Sequence, residues 1–150
     1  LPNVVVEWSE VNAALGQVAL LLVTLARQVH FSFSKYLIIP QGSMSKMAKV
    51  GSENTHYELY VNTESYGGMY FKRSFNNALV CILHCMQELG DYAEKTDRAM
   101  RLPFLIEGDT IGGLSIRTSS SDAKWTKALK NFLIDLKWLV AWSTKRQRIR

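Results

Sequence analysis

The chain has little of what disulfide scaffolds, metal centres and most enzymes are built from. Cys81 and Cys85 are the two cysteines in 150 residues, four apart on a stretch that reads as helix, a geometry that does not readily close a disulfide. Reduced, buried thiols are expected, in a compartment that keeps them so. The three histidines, His30, His56 and His84, are far apart in sequence. His84 joins the cysteines on one helix flank, but a structural zinc site needs four ligands, and neither His30 nor His56 has the local spacing to complete it. Neither a metal nor a cofactor is expected. G-x-S-x-G, H-E-x-x-H and paired-carboxylate motifs are absent, which argues against an enzyme. G-D-T-I-G-G at Gly108 to Gly113 has the glycines of a phosphate loop without its Lys and Ser or Thr, and two strands flank it, so a hairpin turn is the better account. No apolar run reaches the roughly 20 residues of a membrane span, since Val18 to Val23 is bounded by Gly16, Gln17 and Thr24. No bilayer-crossing segment is expected. Opening on Leu1, the chain reads as a fragment of something longer.

What is present suits one domain. At 150 residues and 47% hydrophobic, such a chain hides about 70% of its unfolded surface. The formal net charge of +5 is unevenly placed, with four bases and five acids up to Phe71 and fourteen against eight afterwards. Part of the later excess is the terminal run Lys145, Arg146, Arg148 and Arg150, read most simply as a solvated, frayed end.

Periodicity supplies the elements. Leu1 to Trp8 is extended in character. Ser9 then caps a helix with Glu10 in its first turn, running to about Arg27 or His30. Its middle is apolar on almost every face, which predicts the most buried helix, with Gly16 and Ala19 small enough for a close neighbour. Phe31 to Ile39, about Met47 to Val50, and Tyr57 to Val61 read as strands of an antiparallel meander, with Gly51 to Thr55 a loop. Ser74 caps a second helix, where Phe75, Ala78, Leu79, Ile82, Leu83, Met86 and Leu89 draw a buried stripe to about Lys95. Leu102 to Glu107 and Leu114 to Arg117 pair around the Gly108-Asp109 and Gly112-Gly113 turn.

The last helix spans Ser121 to Trp142 with Asp122 in its first turn. Trp125, Ala128, Leu129, Phe132, Leu136, Leu139 and Val140 form its buried stripe, while Lys127, Lys130, Asn131 and Asp135 lie on other faces. Trp138 and Trp142, one turn apart, fall outside the stripe. They read first as core, because large indole surfaces are usually covered; the sharper reading makes them partner anchors.

W-T-K-A-L-K-x-x-L-x-x-L-K-W-x-x-A-W at Trp125 to Trp142 closely resembles the last helix of the BARA (β-α repeated, autophagy-specific) domain of the Beclin family of autophagy proteins. Val6 to Leu22, Lys35 to Ser45 and Phe75 to Leu89 resemble its first helix, the segment leaving that helix, and its second helix. The resemblance implies an α+β fold of repeated antiparallel sheet-plus-helix units with three main helices. The chain begins almost at the first helix, so the strands of the first unit are missing from it, as are the family's upstream coiled coil and short Bcl-2-binding helix.

The segment Tyr66-Gly67-Gly68-Met69-Tyr70-Phe71-Lys72-Arg73 carries the functional expectation. Read from residues alone, Met69, Tyr70 and Phe71 form a short strand with at least one side chain inside. The family carries an "aromatic finger" here that inserts into lipid, and counting back from Phe75 places it on Met69, Tyr70 and Phe71, with a methionine where the animal members have a third aromatic. Aromatic rings favour the headgroup boundary, and Lys72 and Arg73 would each add about 1 kcal/mol on an anionic surface. The resemblance thus implies a non-catalytic subunit of class III phosphatidylinositol 3-kinase complexes in autophagy and endosomal or vacuolar sorting. Its partners would be an anionic membrane, the kinase's catalytic and regulatory subunits, and complex-specific coiled-coil subunits. Its place would be cytoplasmic and peripheral, at autophagosome formation sites and endosomes. The rival readings are a basic nucleic-acid-binding domain, suggested by Lys124, Lys127 and Lys130 near Trp125 but lacking any RNP, KH or zinc-finger pattern, and a pure interaction scaffold anchored by Trp138 and Trp142.

Overall fold

The computed structural model describes residues 7–62, 68–118 and 121–148, without the side chains of residues 53, 68–71 and 148. In chain order it has α1 (Trp8–Gln28), β1 (Tyr36–Ile39), β2 (Lys46–Lys49), β3 (Ser52–Glu58), α2 (Gly68–Thr96), β4 (Ile106–Glu107), β5 (Thr110–Ile111), β6 (Leu114–Ser115) and α3 (Asp122–Arg148). Strands β1 to β3 form one antiparallel meander and β4 to β6 another. The fold is α+β, a repeat of sheet followed by helix. The expected extended stretch at the N-terminus falls mostly outside the described residues.

Helix α2 forms the centre. Phe75, Leu79, Ile82, Leu83, Met86 and Leu89 recur at three- and four-residue intervals and are all but inaccessible, each contributing about 1.5–3 kcal/mol of burial before the entropy of ordering is charged against it. Both other helices and the strands of the first sheet pack on it, while Gln87 donates to the carbonyl of Ile106 in the second at 2.9 Å. This corrects the expectation for α1. That helix is apolar nearly all round, but it leaves Ala13, Ala14 and Leu20 in solvent, Leu20 at 56% exposure. It buries one face only, because just one side meets the rest of the bundle. An 18-residue window of the 21-residue α1 reaches a mean hydropathy of 1.5, enough by length and composition alone to cross a membrane, a test that core helices pass as well. In this fold Leu15, Ala19, Leu22 and Ala26 instead enter the core.

The three helices run parallel. At one end Trp8, Phe75 and Trp125 meet, with centroids 5.7 Å apart for Trp8–Phe75, 6.0 Å for Trp8–Trp125 and 6.3 Å for Phe75–Trp125. At the other, Tyr92 stacks on Phe31 at 5.0 Å and on Trp142 at 6.1 Å, and Ser143 bonds Gln28 at 3.2 Å. Parallel neighbours need a connection that returns the chain to its starting end, and a three-stranded meander does this. The second return can be followed by its anchors. Phe104 N–H bonds Asp135, the Ile111 carbonyl accepts from Asn131, the Ile116 carbonyl accepts from Trp125 Nε1, and Thr118 bonds Asn76. The first three step down α3 from Asp135 to Trp125, and the last fastens the chain to Asn76 on α2.

Several boundaries differ from the sequence reading, each for a local reason. Helix α1 begins at Trp8 with Glu7 at its cap position and no side-chain cap bond, so Ser9 lies inside it. The first strand keeps only Tyr36–Ile39, because Ser34 is diverted to the Glu88 carboxylate through its N–H and hydroxyl. Strand β3 starts at Ser52, not Tyr57, since Gly51, at φ +85°, turns the chain at once where a five-residue loop was expected. Two turns replace one in the second sheet, with Gly108, Gly112 and Gly113 all at positive φ. Helix α3 continues past Trp142 to Arg148. Its end is tied down rather than frayed, because Arg146 lies over the Tyr92 and Trp142 rings at 5.6 and 5.7 Å and Lys145 reaches Asp97 at 3.7 Å. Arg150 lies outside the described residues.

Asn131 and Asp135 overturn the polar-face assignment, since both are buried. The second sheet and the segment before it press main-chain groups onto this side of α3, and an apolar residue there would leave them unbonded. Asp135 Oδ1 accepts from Phe104 N–H at 2.9 Å and Asn131 Nδ2 donates to Ile111 O at 3.3 Å. Asp135 Oδ2 has no partner among the described residues. Burial pushes this carboxyl up to about 6, opposed by the Phe104 bond and reinforced by Glu94.

The close contact expected at Gly16 is present. A Cβ there would lie 2.0 Å from the Gly42 carbonyl oxygen, so Gly16→Ala forces the 40–44 turn away and should cost about 1–3 kcal/mol in urea denaturation. Gln17→Ala, at an exposed neighbouring position, should be close to neutral. For Asp135 the folded-state value lies above the ordinary 3.8, so the folded protein binds the proton more tightly. The Asp135 contribution to stability should therefore be fully present below about pH 4, fall as pH rises to about 6, and level off above, a total of about 2–3 kcal/mol. Asp135→Asn keeps the acceptor for Phe104 and should flatten that slope; a slope unchanged in the variant assigns the pH dependence elsewhere.

Candidate functional site

The end of the bundle where all three helices begin gathers most of the expected site residues. Met69, Tyr70 and Phe71 lie in the first turn of α2, so their backbone is helical and not the strand expected from residues alone. Their side chains lie outside the described part of the structure, as do Tyr66 and Gly67. Lys72 and Arg73 follow directly and are both exposed, with no ion pair among the described residues.

Helices α1 and α3 carry an acid in the first turn, Glu10 and Asp122, whereas α2 carries none. Acids at a helix N-terminus offset the partial positive charge of the dipole. The start of α2 lacks that offset and carries two exposed cations just beyond it, while the Glu58 carboxylate lies against Ser74 in the next turn. Exposed Glu7, Glu10 and Asp122 are at the same end of the bundle, so positive charge at the start of α2 is confined to Lys72 and Arg73 among the described residues.

Two anchors hold the chain on either side of this segment. Asn12 on α1 bonds both main-chain groups of Val61, accepting from its N–H and donating to its carbonyl at 2.9 Å each. An amide side chain can do both because it carries a donor and an acceptor side by side, as a neighbouring strand would. Ser74, expected to cap α2, lies inside it. Its hydroxyl accepts from Glu58 N–H at 3.2 Å and donates to the Glu58 carboxylate, fastening the second turn of α2 to the end of β3. The chain is therefore held at Val61 before this segment and at Ser74 after it. The sequence reading missed Asn12 and Glu58; the available signal was a lone Asn within the apolar run of α1.

The two tryptophans considered as partner anchors are separated by their environments. Trp142 is 5% exposed and packed between Tyr92 and Arg146, whereas Trp138 is 48% exposed. Ile134, one turn before Trp138, is exposed as well. Cys81 and Cys85 are free and buried, and burial raises both thiols, Cys81 to about 11. Metal ligation needs the thiolate, which this environment disfavours. His84 lies instead beside Glu88 at 3.8 Å and edge-on to Tyr36.

A repeated meander-then-helix architecture, with a short charged segment held at the start of its central helix, defines a β-α repeat domain. A family model described as the Apg6 BARA domain matches residues 1–145. Beclin-2 of Homo sapiens is 37% identical over 158 residues, covering 97% of this chain and 36% of its own length. The Beclin-1-like protein of Drosophila melanogaster is 38% identical, covering 95% of this chain and 35% of its own length. Beclin-1-like protein B of Dictyostelium discoideum is 35% identical, covering 99% and 18%. The chain belongs to the Beclin family and carries its BARA domain; it spans about a third or less of the relatives just described.

Removing the amide clamp tests how the frame is held. Asn12→Ala should destabilise the fold by about 1–2 kcal/mol and speed hydrogen exchange at the Val61 amide, while exchange along the centre of α2 slows or quickens only with global stability. Unchanged protection at Val61 would mean that the clamp contributes nothing in solution.

Proposed function

We propose that this chain is a non-catalytic, membrane-associating domain acting in autophagy and endosomal or vacuolar sorting, as a subunit of class III phosphatidylinositol 3-kinase complexes. Its partners on this reading are the catalytic and regulatory kinase subunits, a complex-specific coiled-coil subunit, and an anionic lipid surface. It works in the cytoplasm at the membrane periphery, where autophagosomes form and on endosomes. Family membership supports the autophagy role.

The observation that carries the membrane part is the exposed pair Lys72 and Arg73, next to Met69, Tyr70 and Phe71 at the start of a helix with no first-turn acid. Cations beside an anionic leaflet each add about 1 kcal/mol, and aromatic rings settle at the headgroup level. The domain supplies the rigid part of the mechanism. The chain is anchored at Val61 and at Ser74 on either side of this segment, and the lipid attachment is individually weak, needing the rest of a complex to persist.

Flotation with vesicles containing phosphatidylserine, beside neutral phosphatidylcholine vesicles, tests the reading. Tyr70→Ser with Phe71→Ser should abolish most binding. Lys72→Gln with Arg73→Gln should weaken it about 10- to 30-fold on the anionic vesicles alone. Retained binding in both double variants, with helicity and melting temperature unchanged, would contradict the proposal.

A further inference from the structure

Apart from the start of α2, the clearest unpartnered surface is the outer side of α3. At 100° per residue, Lys127, Lys130, Ile134, Lys137, Trp138 and Ala141 fall within a sector about 100° wide, and all six are exposed. The two acids of α3 lie elsewhere, Asp122 on another face and Asp135 in the core. A half-exposed Trp138 one turn from an exposed Ile134 is the kind of residue mix that anchors protein interfaces when covered.

Three occupants can be weighed. A second copy would set lysines against lysines across the seam, which is repulsive. A bilayer calls for a broad apolar face, but here Lys127, Lys130 and Lys137 stand within the sector, and Lys130 and Lys137 separate Ile134 and Trp138 from the exposed Leu133. The face also runs along the side of the bundle, with Trp138 about 20 Å beyond Trp125 at 1.5 Å per residue, so a leaflet touching the bundle end would not reach it. An acidic amphipathic helix satisfies both features. Its apolar seam covers Ile134, Trp138 and Ala141, which follow one another at four- and three-residue spacing, and carboxylates on its flanks meet the lysines.

We infer that the outer face of α3, centred on Trp138, is a docking surface for an acidic amphipathic helix of a partner protein. Trp138 is the anchor, and Lys130 and Lys137 select the charge of the partner. The surface is independent of the lipid-facing end, so either can fail without the other.

The test uses a fluorescein-labelled 21-residue peptide with a Leu and Ile heptad seam and Glu at the flanking positions, and a twin with Lys in place of Glu. Anisotropy titration should show saturable binding of the Glu peptide and at least 10-fold weaker binding of the Lys twin. Trp138→Ala should weaken the Glu peptide about 10-fold or more. Lys130→Glu with Lys137→Glu, at two exposed positions, should reverse the preference, which mere damage to the fold cannot do. No saturable binding of the Glu peptide, or the same preference in the charge-reversed protein, overturns the inference. Loss of phosphatidylserine-vesicle flotation in Trp138→Ala would overturn it too, by assigning the face to lipid.

Discussion

The burial of one face of α2 against everything around it is the constraint from which the rest follows. Phe75, Leu79, Ile82, Leu83, Met86 and Leu89 are sealed where α1, α3 and the first meander pack on α2, while the second meander packs on α3, so no repeat completes its core alone. The odd number of strands in each meander then sets the helices parallel, and parallel helices make the two ends of the bundle chemically different. One end has the aromatic trio Trp8, Phe75 and Trp125 and the start of α2. The other has the stack of Phe31, Tyr92, Trp142 and Arg146.

That polarity divides stability from function along the chain. The C-terminal stack closes the core, with Arg146 covering two rings while its guanidinium bonds the Tyr92 hydroxyl. At the opposite end Trp8, Phe75 and Trp125 meet in the core, and Asn12 and Ser74 hold the chain on either side of the segment proposed to meet lipid. Asp135 shows the opposite case, a charge-bearing group placed in the interior because Phe104 needs an acceptor there.

Much of this was legible in the sequence where side-chain period decides the outcome. The stripe of α2 was read residue for residue, and Gly16 was marked for a close approach that proves to be the Gly42 carbonyl. The errors lie where long-range partners decide. Asn131 and Asp135 look solvated in any window of α3, and only the arrival of the second meander makes them interior. The all-round apolarity of α1 overstated its burial, because composition reports what a face tolerates and not what lies against it. Trp138 and Trp142 are equivalent in a local pattern; the presence of Tyr92 beside one and solvent beside the other separates them. At the site, cations after two aromatics were visible at once. The helical start at Gly68 and the Val61 and Ser74 anchors were not, since each depends on a residue distant in the chain.

On the proposed membrane reading, the helix starts face the leaflet and the helix ends face away. Attaching nitroxide labels one at a time to cysteines replacing Lys124, at one end, and Thr144, at the other, and measuring relaxation by a lipid-bound paramagnetic metal tests it most directly. The account predicts strong relaxation at position 124 and almost none at position 144, about 30 Å further along α3 at 1.5 Å per residue. Equal relaxation at the two positions, or a stronger effect at 144, would contradict it.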